Sequence, residues 1–259
     1  MSLYETIIKH FANKCYFRIK FHALSTLNGV EYIDHIAYDS VVFGYAAGRL
    51  KILVMEYHNT GLFALPGGFI AMHEDLDEAV KNGLEARTGL KDIYLEQFHT
   101  FGKADRNKTD EMKKILEANE IHQKEFQWML SRFISVGYYA LINHELVTLH
   151  PDALSDSCTW YDINKLPKLI QDHASIVAKA LQTLRDQIDR KLPLFALLGE
   201  KFTMQELQGL YEVILDEKLH RGTFQRKMLS MDILERHEKK YSGAANKAPY
   251  LYSFKKNWN

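Results

Sequence analysis

The 259-residue sequence has no surplus of either charge, no long apolar run and almost no cysteine. Lys plus Arg and Asp plus Glu are equal at 33 each, so no overall field draws the chain to nucleic acid or membrane, and only local charge is informative. Its two cysteines, Cys15 and Cys158, form no CxxC or Cys/His spacing, which argues against a disulfide framework or a structural zinc and fits a reducing compartment. The twelve histidines contain no HExxH. Charged Glu5, Lys9 and Lys14 interrupt the start, which leaves no signal-peptide core, and no run approaches the length of a membrane span. A soluble cytoplasmic protein with no membrane partner is expected, long enough for two domains.

The most informative stretch is Leu62 to Leu90, LFALPGGFIAMHEDLDEAVKNGLEARTGL. Leu62, Phe63 and Leu65 are a short apolar run, and Pro66-Gly67-Gly68 is expected to stop any regular element. Asp75 is placed to cap a helix whose apolar side is Leu76, Ala79, Val80, Gly83 and Leu84, ended at Gly89. An uncompensated glycine in a helix interior costs about 1 kcal/mol against alanine, so Gly83 makes room for a ligand or for close packing.

These residues resemble a Nudix box, whose pattern is Gly, five residues, Glu, seven residues, Arg-Glu, an aliphatic, any residue, Glu-Glu, any residue, Gly, an aliphatic. Gly68, Glu74, Leu84, Gly89 and Leu90 fall in register. The resemblance implies an α/β fold, an α/β/α sandwich around a mixed sheet. The departures fall on the chemistry. Asn82-Gly83 stands where the family has Arg-Glu, and Ala86-Arg87 where it has the metal-binding glutamate pair. Nudix hydrolases use those glutamates to hold the divalent metal that activates water against a diphosphate. With three carboxylates gone and Arg87 adding a positive charge, the expectation is no catalytic residues, no metal and no cofactor. A hydrolase with rearranged ligands, using Glu74, Glu78 and Glu85, is the alternative; a solvated acidic helix face is the plainer reading of Glu78 and Glu85.

The flanks fit the same resemblance. Residues 1–30 form an extension with a short helical pattern (Leu3, Ile7, Ile8, Phe11) and an alternation from Cys15 to Phe21, a cover or dimer contact without a motif. Ile36 to Phe43 and Leu50 to Tyr57 are strand-like runs around GYAAGR, a hairpin, and Ile93 to Phe101 and Phe133 to Ile142 are two further strands. Lys108 to Arg132, polar and helical, reads as an insertion at 108–132 into a loop: a lid over a pocket, a dimer element or a solvated hairpin. Trp160 to Leu166 closes the domain, taken as 31–190, and His173 to Ile188 is a helix before Pro193.

Thr203-Met-Gln-Glu206 has capping-box spacing and opens a helix with Leu207, Leu210, Tyr211, Ile214 and Leu215 inward. After a polar turn, Asp216 to His220, a second helix near Thr223 to Met231 is expected to bury Phe224, Met228 and Leu229. A helix, a short turn and a second helix with basic and amide side chains at its start is a helix-turn-helix arrangement. Ile233 to Tyr241 and Tyr250 to Phe254 read as a hairpin wing, giving a winged helix over 193–259. From Arg221 onward nine basic residues face three acids, the footprint of a phosphate-binding surface on a chain neutral overall; a solvated basic tail is the bland alternative.

A degenerate Nudix domain followed by a winged helix resembles the Nudix-related transcriptional regulators from about Tyr32 to Phe254. FGKADR, Phe101 to Arg106, also resembles a segment of that branch. The resemblance implies a homodimer that binds a double-stranded DNA operator and a small-molecule effector. In that branch the effectors are sugars or ADP-ribose-like nucleotides, and the lost metal ligands favour a sugar. Arg221, Thr223, Gln225, Arg226, Lys227, Lys239, Lys240 and Lys247 are the candidate DNA contacts, with Thr223, Gln225 and Arg226 for base edges and the lysines for phosphates. Phe69, Glu74, Lys103, Asp105 and Arg106 are the candidate effector contacts. The hydrolase alternative predicts metal-dependent release of phosphate or a nucleoside monophosphate from ADP-ribose, and a protein-interaction module predicts neither activity.

Overall fold

Period-two alternation along three long strands decides the architecture. The computed structural model describes residues 26–27, 30–121, 127–189, 194–240 and 248–255. The first described elements are strands β1 (Thr26–Leu27), β2 (Val30–Ala46) and β3 (Arg49–Tyr57), followed by β4 (Phe63–Ala64), β5 (Gly67–Ala71) and helix α1 (Leu76–Thr88). Next come β6 (Tyr94–Phe101), α2 (Thr109–Ala118), β7 (Ile134–Ile142), β8 (Ser155–Asp162) and α3 (His173–Gln187). The sheet path is β4-β3-β2-β7-β6, with β1 and β5 on β2 and β8 on β3. Among the described strand pairings β2–β7 is parallel and the others are antiparallel, so the sheet is mixed.

Along β2, Val41 and Phe43 point into one apolar cluster and Val42 into the other, and β3 and β7 split in the same way. One face is covered by Ala79, Val80 and Leu84 of α1, the other by Ile176, Val177, Ala180 and Leu184 of α3. Residues buried on both faces read as unbroken apolar runs, which is how these strands look in the sequence. The β2–β3 hairpin turns at Ala47-Gly48, both at positive φ (49° and 71°), as a two-residue hairpin requires.

Two local expectations are corrected. Pro66-Gly67-Gly68 does not stop regular structure: β5 begins at Gly67 and pairs with Tyr38 and Asp39 of β2. The glycines allow that approach, because a Cβ would meet the Tyr38 carbonyl at 2.7 Å from Gly67 and the Tyr38 hydroxyl at 2.6 Å from Gly68. Asp75 is the N-cap of α1 by position, yet its side chain makes no cap hydrogen bond.

Beyond α3 lie α4 (Phe195–Leu198), β9 (Phe202–Thr203), α5 (Met204–Leu215), α6 (Arg221–Ser230), β10 (Leu234–Lys239) and β11 (Tyr250–Phe254), with β11 central in a three-stranded antiparallel sheet. This is a winged helix. The capping box is complete: Thr203 Oγ1 accepts from the Glu206 N–H (3.2 Å) and Glu206 Oε2 from the Thr203 N–H (2.6 Å). Thr203→Ala is expected to lower stability by about 1 kcal/mol, read from a urea midpoint; an unchanged midpoint would show that the cap contributes nothing.

One core cluster runs through both halves. Phe43, Leu50 and Ile52 of the sheet share it with α3 and with Leu207, Leu210, Tyr211 and Ile214 of α5. The helix and strand expected before Phe21, the 190–193 segment holding the expected boundary, and Lys247 lie outside the described residues. Among the described residues no helix is long and apolar enough to cross a membrane.

Candidate functional site

A cavity of about 320 Å³ opens between the β2–β5 edge, the end of α1 and the start of α3. The insertion forms one wall: Met112, Ile115 and Leu116 of α2, and Met129, line the cavity, with Ile115 and Leu116 almost fully buried. The apolar side of its described turns is packed on the cavity rather than solvated. Tyr32, Phe69 and Phe133 add an aromatic side, backed by Trp128, whose ring meets Phe69 edge-on at 4.7 Å.

Two guanidinium groups border the cavity. Arg106 lies in the loop after β6 and is 5% exposed. Its Nε and Nη2 donate to the two oxygens of Asp172 (3.0 and 2.9 Å) and its Nη1 to the Phe133 carbonyl (3.0 Å), while Asp39 lies 3.6 Å away. Asp39 also accepts the Ser135 hydroxyl. His173 Nδ1 accepts the Leu65 N–H at 3.0 Å, which places the ring proton on Nε2, 3.4 Å from Asp39. The group is a closed network of buried charge, each member partnered.

Arg87 enters from the last turn of α1, at the position of the second glutamate of the Nudix pair. Its Nη1 donates to Gly83 O (2.8 Å), its Nη2 to Gly67 O (3.0 Å) and to Asp152 (2.8 Å), and its Nε to the Met55 sulfur (3.2 Å). Gly83 admits this arrangement: a Cβ there would lie 2.1 Å from the Tyr38 hydroxyl oxygen. Burial raises the Tyr38 phenol above its usual pKa and Arg87 only partly opposes it, so the hydroxyl stays neutral.

A divalent metal does not fit this donor set. Asn82, Gly83, Ala86 and Arg87 offer no carboxylate, and Glu74 accepts from Asn82 Nδ2 at 2.7 Å. Glu78 is exposed and Glu85 faces Lys91 at 3.7 Å; neither lines the cavity. Among the described residues no three His, Cys, Asp or Glu side chains group to hold a metal.

Of the effector candidates, the cavity brings together Phe69 and Arg106. Glu74 lies outside its lining, and Lys103 and Asp105 are exposed beside it. The sequence reasoning missed Asp39, Asp152 and His173, whose convergence from distant segments carries no local signal. It reads Arg87 as a lost ligand and an added positive charge against metal, but not as a residue of the cavity.

The second surface is α6. His220 caps it by accepting from the Thr223 N–H (3.4 Å), and Phe224 and Met228 face inward, Phe224 edge-on to Tyr211 at 5.1 Å, whereas Leu229, expected inward, is exposed. Arg221, Thr223 and Arg226 are exposed and Gln225 half-buried. Arg221 and Arg226 enter no ion pair among the described residues, whereas Lys227 pairs with Asp189 (2.6 Å) and Lys240 with Glu206 (3.1 Å). Lys239 and Arg236 both lie over the Tyr250 ring on the wing. Helix α3 spans the two surfaces: His173 at its start lines the cavity, and Arg185 near its end donates to Ile214 O of α5 at 2.6 Å.

Residues 194–254 match the NrtR DNA-binding winged helix domain. Across 224 residues the chain is 28% identical to the ADPR responsive transcriptional repressor NtrR of Acinetobacter baylyi, covering 83% of this chain and 80% of that one. It superposes on the crystal structure of Shewanella oneidensis NrtR complexed with a 27mer DNA with a TM-score of 0.65 at 27% identity, over 85% of this chain and 93% of the other. A MutT/nudix family protein from Enterococcus faecalis shares the fold, with a TM-score of 0.64 at 19% identity over 98% and 94% of the two chains. The chain is therefore NrtR-like in architecture, a Nudix-like α/β domain followed by the NrtR type of DNA-binding winged helix.

Proposed function

We propose that this protein is a DNA-binding transcriptional regulator whose Nudix-like domain, residues 31–190, senses an ADP-ribose-like metabolite without hydrolysing it, and whose winged helix, residues 193–259, binds the operator. The carrying observation is Arg87: the residue where the Nudix pattern needs a metal-binding carboxylate is a guanidinium built into the cavity floor, in a chain that also presents a basic recognition helix. The named response of the Acinetobacter relative favours ADP-ribose over the sugar preferred from sequence alone. The protein acts in the cytoplasm as a homodimer, with recognition helices spaced by one DNA turn, about 34 Å, or a multiple of it. Phe69 and Arg106 belong to the effector pocket, and Lys103 and Asp105 to its outer rim.

In the DNA complex Thr223, Gln225 and Arg226 read base edges, while Arg221, Lys227, Lys239, Lys240 and Lys247 serve phosphates. Arg226→Ala is expected to cost about 1–3 kcal/mol at one operator position, whereas Lys240→Ala weakens every sequence alike and flattens the salt dependence. The test is a mobility shift on DNA upstream of the protein's own gene, across a salt series, with and without ADP-ribose and arabinose. Sequence preference that survives salt and responds to ADP-ribose supports the reading. Binding no better than to a random duplex at any salt removes it, and metal-dependent release of phosphate or a nucleoside monophosphate from ADP-ribose would establish the hydrolase instead.

A further inference from the structure

A diphosphate ligand favours a positively charged partner, and among the described residues no carboxylates group to hold the divalent metal that supplies it in Nudix hydrolases. We propose that Arg87 takes the metal's place: its guanidinium anchors a phosphate of the ligand directly, and Asp152 is the internal anion that occupies it until the ligand arrives. This rests on the effector reading above and names the residue that would carry it.

Four contacts fix the guanidinium, and only one of them is exchangeable. Gly83 O, Gly67 O and the Met55 sulfur are neutral acceptors, so they hold the plane of the group without cancelling its charge. Asp152 is the single anion on it. The Arg87 side chain is 12% exposed and that of Asp152 is 31% exposed, so the carboxylate has a path to water while the guanidinium stays in the cavity wall. Asp152 is also held independently of Arg87: its Oδ1 accepts from the Leu154 N–H (3.1 Å) and from the Ser155 hydroxyl (2.8 Å). An incoming phosphate can therefore replace Oδ2 on Arg87, leaving the loop in place and turning one carboxylate oxygen to solvent. Anion for anion, the buried cation is never left unpaired.

Arg106, the other guanidinium at the cavity, is not available in this way. It is bidentate to Asp172, donates to a backbone carbonyl and has a side chain only 3% exposed. Of the two, Arg87 alone can accept a phosphate without dismantling a buried network.

The experiment is calorimetric titration of the full-length protein with ADP-ribose, in EDTA and in magnesium, for the parent protein, Arg87→Gln and Asp152→Asn, with phosphate-free adenosine as the control. Expected are equal affinities in EDTA and magnesium, a loss of about tenfold or more in Arg87→Gln, and a severalfold gain in Asp152→Asn, where the competing charge is gone. Adenosine binding should be the same in all three. A strict magnesium requirement, unchanged affinity in a folded Arg87→Gln, or weakened binding in Asp152→Asn would each overturn the assignment. If Arg87→Gln does not fold, the direction of the Asp152→Asn change decides alone. A parent protein that binds its operator yet not ADP-ribose overturns the anchor and leaves the regulator; one that binds ADP-ribose but no operator does the reverse.

Discussion

Replacing Arg106 with methionine is expected to lower folding stability by about 3–5 kcal/mol, a third or more of what a domain of ordinary stability possesses. The side chain is 3% exposed, and its removal leaves Asp172 without its bidentate partner, the Phe133 carbonyl without a donor and Asp39 with one cation fewer nearby. The loss arises from stranded charge rather than from a cavity, since methionine fills much of the same volume. It should therefore be partly recovered by Asp172→Asn in the same background, a positive coupling in a double-mutant cycle. Asp105→Ala, one residue away and exposed, should change the urea midpoint by no more than about 0.5 kcal/mol-equivalent. Equal effects of the two substitutions would mean that Arg106 is a surface arginine in solution, and the pocket wall built on it would have to be redrawn.

That contrast between neighbours marks what the sequence discloses. Features set by local period or local hydrogen bonding were legible: β2, β3, β6 and β7 from apolar runs, the buried stripe of α1, the capping box at Thr203 and Glu206, and the helix-turn-helix with Phe224 and Met228 inward. Features set by tertiary approach were not. Asp39, Arg106, Asp172 and His173 come from three separate segments, with Arg106 and Asp172 66 positions apart in the sequence, and no periodicity links them. Arg106 and Asp105 look equivalent in FGKADR, yet the chain turns one inward and leaves the other in water. The same holds for the lysines: Lys227 and Lys240 count toward a basic footprint in the sequence, but each already faces a carboxylate in the fold, Asp189 and Glu206. In the proposed DNA complex phosphates would have to displace those partners, which leaves Arg221 and Arg226 the less encumbered charges on α6.

Returning the Nudix motif to its family residues should not return the enzyme. Gly83→Glu together with Arg87→Glu would supply two of the missing carboxylates, but both positions have been rebuilt around their present occupants. At 83, any side chain begins with a Cβ 2.1 Å from the Tyr38 hydroxyl oxygen, a contact that only movement of a buried tyrosine can relieve. At 87, a carboxylate would replace the guanidinium that Asp152 now faces at 2.8 Å, setting two acids together and leaving the Gly67 and Gly83 carbonyls without their donor. Even Gly83→Ala, which should gain about 1 kcal/mol in helix propensity, is expected to lose about 1–3 kcal/mol net through overpacking. Tyr38→Phe should recover much of that, because the next atom, Cζ, lies 3.2 Å from the new Cβ. For the doubly restored protein the expectation is a fall in stability of more than about 3 kcal/mol and no magnesium-dependent release of phosphate or nucleoside monophosphate from ADP-ribose. Thermal melts and a product assay on the same preparations decide it: hydrolysis by the restored protein, or a Gly83→Ala variant as stable as its parent, would show that Tyr38 and Asp152 yield readily and that the lost carboxylates alone separate this chain from an enzyme.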